Sequence, residues 1–199
     1  MEKRIITISR EFGSGGRSIG REVANRLGIP FYDKELVDKI ALETGFAPSF
    51  IEEHGEHAPS TSRLSYAFAQ PGVPGVMNGM SAADFLWSMQ CSVILQLAES
   101  GPCVIVGRNA DYILKDRTDC LDVFIHASPE FRADRIVRLY GNSEKSPEAR
   151  LQEKDKRRRI NYQHYTGRTW GAAQNYDLCL DSGTLGIERC VDIILSSYK

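Results

Sequence analysis

Short apolar runs and helical periodicities alternate along the chain. Ile5-Ile6-Thr7-Ile8 is a β-branched run that ends in a glycine-rich segment, which predicts a strand buried on both faces. From Arg17 to Leu27, the apolar residues Ile19, Val23, Ala24 and Leu27 recur at helical spacing, and Gly28 stands where a C-cap belongs. Asp33 is placed to cap a second helix reaching about Thr44, followed by Gly45. Cys103–Val106 and Leu121–Ile125 predict two more buried strands. Ser128-Pro129-Glu130 and Ser146-Pro147-Glu148 each combine an N-cap hydroxyl with proline at the first helical position. The first starts a helix to Tyr140, and the second a charged helix through Arg159 or beyond. Leu178-Cys179-Leu180 reads as a late strand, and Ile187–Tyr198 as a closing amphipathic helix. This order predicts an α/β protein with a parallel sheet wrapped by helices, because βαβ connections place helices on both faces.

Residues 47–100 break the rhythm. Their middle is rich in Pro, Gly, Ser and Met, and Ser81–Glu99 is the convincing helix, with Ser81 and Asp84 as a capping box. The segment reads as an inserted lobe that contacts substrate or a second copy of the chain, and its Met-rich stretch around Val76–Met89 suits a homodimer contact or packing on the core.

Composition narrows the classes. The 199 residues suit one compact domain, and 25 Lys+Arg against 26 Asp+Glu exclude a generally basic nucleic-acid coat while permitting a local basic cluster. The five cysteines lack a CxxC pair, which favours buried thiols in a reducing cytoplasm over a zinc ribbon or disulfide scaffold. Leu64–Ala83 is uncharged but broken by Pro and Gly, so no membrane span is expected, and the first residues lead into a strand with no signal-peptide pattern. The four histidines offer no metal-ligand spacing beyond His54-x-x-His57.

The chemistry concentrates in Ser9-Arg10-Glu11-Phe12-Gly13-Ser14-Gly15-Gly16-Arg17-Ser18, between the first strand and the first helix. Glycines let backbone N–H groups converge on a phosphate, and the following helix adds free N–H groups and its positive dipole end. Gly13, Ser14, Gly15, Gly16, Arg17 and Ser18 are therefore the expected phosphate cradle. Against G-x-x-x-x-G-K-[ST], Gly16 and Ser18 fit, Glu11 replaces the first glycine and Arg17 the lysine. Arg17 keeps the charge but exchanges a compact ammonium for a planar fork.

This loop, with Phe31–Val37, Val106-Gly107-Arg108-Asn109, Phe124–Glu130 and Leu180–Glu188, resembles the cytidylate kinase-like proteins among the P-loop nucleoside monophosphate kinases. The resemblance covers most of the chain and is weakest over 47–100. It implies a three-layer P-loop NTPase-type fold: a core of about 1–46, 101–141 and 171–199, a mostly helical inserted lobe, and a helical lid at about 142–170. It also implies ATP and Mg2+ as cofactors, with Ser18 touching the metal.

The relatives hold the acceptor nucleotide partly by D-G-R-D after a core strand. Val106, Gly107, Arg108 and Asn109 stand there, so Arg108 is retained, both acids are replaced, and Asp111 is a candidate substitute for one. Their L-D-S-G-x-x-Y-R segment appears as Tyr32–Lys39, with Asp33 kept and Lys34 and Lys39 where serine and arginine would be. Asp33 reads equally as a plain helix N-cap. Lys154-Asp155-Lys156-Arg157-Arg158-Arg159 occupies the lid position, where arginines neutralise charge on a transferring phosphoryl group. Arg158 leads, then Arg157 and Lys154; a solvated face and a small nucleic-acid patch are the other readings of the run.

Arg132, Arg135 and Arg138 read as one solubilising face, within which Arg135 is a candidate phosphate contact, and Arg63 is the lone cation of its stretch and a candidate for the acceptor phosphate. The expected activity is phosphoryl transfer from ATP to a nucleoside monophosphate, CMP or dCMP by resemblance. A nucleotide-binding regulator with little turnover, or a kinase of another small acceptor, are the competing classes.

Overall fold

The computed structural model describes residues 4–49, 51 and 82–198, and of Lys34 and Ala82 the backbone alone. Five parallel strands, β1 (Ile5–Arg10), β2 (Phe31–Tyr32), β3 (Cys103–Val106), β4 (Cys120–His126) and β5 (Leu178–Asp181), form one sheet in the order β2-β3-β1-β4-β5. The central β1 pairs Ile5 with both Cys103 and Cys120. The chain crosses from one side of β1 to the other between β3 and β4, so the crevice beyond the carboxyl end of β1 is the switch point where ligands bind in such sheets.

Helices cover both faces. On one, α1 (Gly16–Leu27) and α8 (Ile187–Ser197) pack Ile19, Val23, Val191 and Ile194 against Ile6, Ile8, Val123 and Ile125. On the other, α2 (Lys34–Thr44), α3 (Ala82–Ser100) and the short α4 (Ala110–Ile113) pack Leu36, Ile40, Ile94 and Leu114 against Ile5, Cys103 and Ile105. Burial on both sides accounts for strands that read as continuous apolar runs. The same α2–α4 face carries a polar pair within the sheet, where Thr7 Oγ1 donates to Asp122 Oδ1 at 2.5 Å.

The start and stop signals work as their chemistry dictates. Ser128 and Ser146 accept from the N–H groups of Phe131 and Ala149 at the starts of α5 (Pro129–Tyr140) and α6 (Pro147–Thr166). Gly28 and Gly45 close α1 and α2 at φ of 65° and 72°, the left-handed region that glycine enters without steric cost. The short α7 (Ser182–Leu185) is capped by Asp181 through the N–H groups of Gly183 and Thr184.

Two expectations need correction. Cys179 is exposed rather than a core thiol, because β5 is an edge strand, whereas Cys103, Cys120 and Cys190 are buried. Arg132, Arg135 and Arg138 do not share a face: each three-residue step falls about 60° short of a full turn, and Arg132 is buried while Arg138 is exposed on an ion pair with Asp134. Of the inserted lobe, 47–49, 51 and 82–100 are described; Arg63, Ser81, the two histidines of His54-x-x-His57 and residues 76–81 of the proposed dimer contact lie outside the described residues. Among the described residues no helix is long and apolar enough to cross a membrane.

Candidate functional site

Beyond Arg10 the chain leaves the sheet and bends twice through the left-handed region, at Gly13 (φ 84°) and Gly15 (φ 87°), before α1 begins. A Cβ at Gly13 would stand 2.9 Å from the Arg132 carbonyl oxygen, so the loop lies directly on α5. Ser14 ties the bend internally, its hydroxyl donating to the Glu11 carbonyl at 2.9 Å. Ser182 donates to the Ser14 carbonyl at 2.5 Å and to the His126 carbonyl at 3.1 Å, joining the loop to the ends of β4 and β5. The first turn of α1 carries no acid, which leaves its free N–H groups open to an anion.

The cleft over this loop, about 130 Å³, is lined by four arginines, Arg10, Arg17, Arg135 and Arg158, of which Arg10 passes its stem beside Gly16 and carries its guanidinium to Gly107. Arg17 Nε lies 2.6 Å from Asp33 Oδ2. Asp33 does occupy the N-cap position of α2, yet its side chain makes no capping bond; the carboxylate goes to Arg17 instead. Arg135 reaches from α5 across Gly15 and donates from Nη2 to Ser18 Oγ at 2.9 Å.

Behind the loop sits a charge network that sequence reading missed. Arg132 (8% exposed) and Asp155 (6%) pair at 2.6 Å, and the guanidinium also donates to the carbonyls of Phe12 and Ala127 at 3.2 and 3.1 Å. The second Asp155 oxygen accepts the Phe12 N–H at 2.8 Å, so helix α6 is hydrogen-bonded to the loop backbone itself. Glu11, at the position of the missing first glycine, sends its carboxylate to the start of α5, where it accepts the Ala127 N–H at 3.2 Å and lies 3.4 Å from Arg132 Nε. Arg158 completes the junction, donating to the Arg10 carbonyl at 3.1 Å with its guanidinium 6.0 Å from the centre of the Phe12 ring. The available signal was Asp155 itself, the one acid within the basic run from Lys154 to Arg159.

A smaller cleft adjoins on the β3 side. Gly107, Arg108 and Asn109 follow one another with φ of 75°, 59° and 56°, three successive left-handed residues of which two carry side chains. Such conformations cost energy and collect at functional sites. Arg108 donates to the Ile51 carbonyl at 3.1 Å, and Asn109 Nδ2 to Asn161 Oδ1 at 2.9 Å. Asp111 is not at the surface of this cleft. It is 2% exposed, accepts from Ser9 Oγ at 3.1 Å and from Tyr162 Oη at 2.7 Å, and burial raises its pKa above the ordinary carboxylate value. The same burial, with Asp111 beside it, pushes the Tyr162 phenol upward.

The predicted site residues thus divide. Gly13, Gly15, Gly16, Arg17, Ser18, Asp33, Arg135 and Arg158 line the glycine-loop cleft, and Arg108 and Asn109 line the adjoining one. Ser14 lies fully buried beneath the loop. Three of the predicted cations stand elsewhere. Arg157 binds Glu153 at 2.5 Å on the outer side of α6, Lys154 is exposed on that helix, and Lys39 is exposed on α2. The reason is helical phase: Asp155, Arg158 and Tyr162 follow at three- and four-residue spacing on the inward face, and Lys154 and Arg157 are each one position off it. The side chain of Lys34 lies outside the described residues. Tyr165 and Tyr176 pack on Trp87 and Phe124, and Trp170, edge-on to Phe124, also lines the adjoining cleft. No group of three or more His, Cys, Asp or Glu side chains able to hold a metal occurs among the described residues.

A glycine loop between central strand and helix, at the switch point of a 2-3-1-4-5 parallel sheet, defines a P-loop kinase-type fold. Solved structures agree: the chain matches an uncharacterized protein from Eubacterium ventriosum with TM-score 0.73 and 25% identity, covering 98% of each chain. Shikimate kinase from Acinetobacter baumannii matches in fold, at TM-score 0.56 and 16% identity over 98% of this chain and 92% of that one. Within this class the chain belongs to the cytidylate kinase-like family, whose profile matches residues 5–184. A cytidylate kinase of Pyrobaculum islandicum is 28% identical over 197 residues, 96% of this chain and 90% of the relative.

Proposed function

We propose that the protein is an ATP-dependent phosphotransferase whose acceptor is a nucleoside monophosphate. The observation that carries this reading is the set of four arginines lining a cleft over a backbone cradle at the amino end of α1, with a second arginine-bearing cleft beside it. Phosphoryl transfer asks mainly for positioning and charge neutralisation, and this arrangement supplies both. The bond between the γ-phosphorus and the bridging oxygen breaks to leave ADP, and an acceptor phosphate oxygen forms the new bond. That oxygen is ionised at neutral pH, so the protein has no proton to remove. Family membership and the relatives named cytidylate kinase favour a cytidine nucleotide as acceptor.

The residues fit the ligands this reading needs. The left-handed loop and the first turn of α1 would take the ATP phosphates. Mg2+ in such sites is held by one or two oxygen side chains together with phosphates. Ser18 Oγ is exposed and accepts a single bond from Arg135, and the Asp33 carboxylate lies in the same cleft, so these two would hold the ion. It would supply further neutralisation of the phosphates. Arg108 and Asn109 would meet the acceptor.

A second reading, a nucleotide-binding regulator without turnover, has one observation in its favour: the cation in the usual lysine position is engaged by Asp33. ADP release with ATP and Mg2+ across CMP, dCMP, UMP, AMP and GMP decides between the two. Turnover with one acceptor is expected. ATP binding with a flat response to all five would remove the monophosphate kinase and leave the regulator or a kinase of another small acceptor.

A further inference from the structure

We infer that Arg10 is a substrate-contacting residue of this site, and that its guanidinium and that of Arg158 together seat the terminal phosphoryl group of a nucleoside triphosphate. The inference rests on the phosphotransferase reading above and adds a residue that neither the motif nor the family resemblance points to.

Position is the first argument. Among the described residues, Arg10 and Arg158 are the two that line both the glycine-loop cleft and the adjoining cleft of Gly107, Arg108 and Asn109. A group passing from a donor over the loop to an acceptor beside Arg108 crosses that shared boundary. Arg10 is also the last residue of β1, the central strand at the switch point, so its Cα is fixed by the sheet.

The second argument is that the fold makes room for this side chain. A Cβ at Gly16 would stand 2.6 Å from Arg10 Cβ and 3.1 Å from its Cγ. A Cβ at Gly107 would overlap the guanidinium at Nη1. Gly16 has an ordinary helical backbone, so for it the need is space, and the space is filled by Arg10. One glycine thus clears the stem and the other the head.

The third argument is registration between the two cations. Arg158 donates to the main-chain carbonyl of Arg10, so each guanidinium is placed relative to the same residue. Arg158 also lies 3.7 Å from Asp155, and planar guanidinium forks match phosphate oxygens in bidentate geometry, so the two arginines suit a multiply charged anion at their shared boundary. The glycine loop takes the inner phosphates of the donor, which leaves the outermost one for this pair.

The test compares ATP with ADP by equilibrium titration with Mg2+ and no acceptor, so it reads binding rather than turnover. Arg10→Met keeps the aliphatic filling and removes the charge. It should weaken ATP about tenfold or more, the scale of a lost charge-assisted contact, and leave ADP within about twofold. Arg10→Lys should fall between. Gly107→Ala displaces the guanidinium with residue 10 intact, on a backbone at φ 75° that alanine adopts only under strain, and should lower the ATP-to-ADP preference in the same direction; Arg10→Gln, a second neutral replacement, keeps the test usable if the methionine variant does not fold. Arg138→Met, on the exposed ion pair with Asp134, should leave the preference unchanged. Equal weakening of ATP and ADP, or an unchanged preference in the Arg10 and Gly107 variants, overturns the inference while wild-type ATP binding leaves the phosphotransferase reading standing. A wild-type protein that binds neither nucleotide removes both.

Discussion

The two clefts that meet at Arg10 and Arg158 are built by different means. The glycine-loop cleft is made of backbone, bent at Gly13 and Gly15 and fastened from behind by Arg132 and Asp155, whose bonds end on main-chain atoms of Phe12 and Ala127. The adjoining cleft is made of side chains. Arg108 and Asn109 are presented by left-handed backbone, and Asn109 is held by an amide on α6. A backbone cradle recognises what phosphates share, whatever the base or sugar. Side chains on a turn recognise what distinguishes one acceptor from another, and Asn109, where D-G-R-D would place an acid, is a departure that lines this cleft, whereas Val106 is buried in the core and Glu11 and Arg17 belong to the loop.

The sharpest way to break this contrast is to unfasten the loop from behind. Asp155→Ala leaves the Arg132 charge buried without its partner and the Phe12 N–H without its acceptor. Removing one member of a buried pair costs about 3–5 kcal/mol, mostly the penalty on the stranded partner. Urea unfolding should show that loss, with Asp155→Asn losing less because its amide oxygen still accepts from Phe12. A loss below about 1 kcal/mol, the value of a surface pair, would mean that Arg132 finds solvent and that the loop does not depend on α6.

The contrast also governs what could be read from the sequence. The glycine loop, four of the five strands and the helix starts at Ser128 and Ser146 are local patterns, and a local pattern is visible in a string. β2 was missed because two residues show no periodicity, and α4 because its four residues follow a left-handed turn with no glycine after Gly107 to announce it. The ion network was missed for a different reason. Arg132 and Arg138 are alike in sequence, and only the packing of α5 on the loop and α6 sends one inward to Asp155 and leaves the other in water. Lys154, Arg157 and Arg158 pose the same problem, since a basic run has no phase until Tyr162 and Leu151 are seen buried beneath the helix.

Helical phase gives the next test. Arg158 faces both clefts and Arg157 faces Glu153. Loss of one preorganised donor to transition-state charge slows turnover about 10²–10³-fold, the expectation for Arg158→Ala with its acceptor. For Arg157→Ala the loss is that of an exposed i,i+4 pair, about 0.3–0.5 kcal/mol of stability, with turnover unchanged. Equal effects on rate would place the lid in a register other than the one seen here, and the division of α6 into an inward and an outward face would fail.

The smallest effect concerns the floor of the side-chain cleft. Asp111 is buried between Ser9 and Tyr162, and desolvation raises its pKa above the ordinary value of 3.8 even though both hydroxyls donate to it. Below 3.8 the group is protonated in the native and unfolded chains alike. As pH rises past that point the unfolded chain releases its proton first, so native stability declines until the folded group has also ionised, and the loss is constant thereafter. Asp111→Asn has no proton to release there. Its amide can keep both contacts, with one hydroxyl turning to accept. The difference in unfolding free energy between variant and wild type cancels every other titrating group, so it should shift in the variant's favour as pH rises past about 4 and level off once the folded group has ionised. A difference that stays flat with pH would show that water reaches Asp111. In that case the carboxylate belongs to the wall of the cleft beside Arg108 rather than to its foundation.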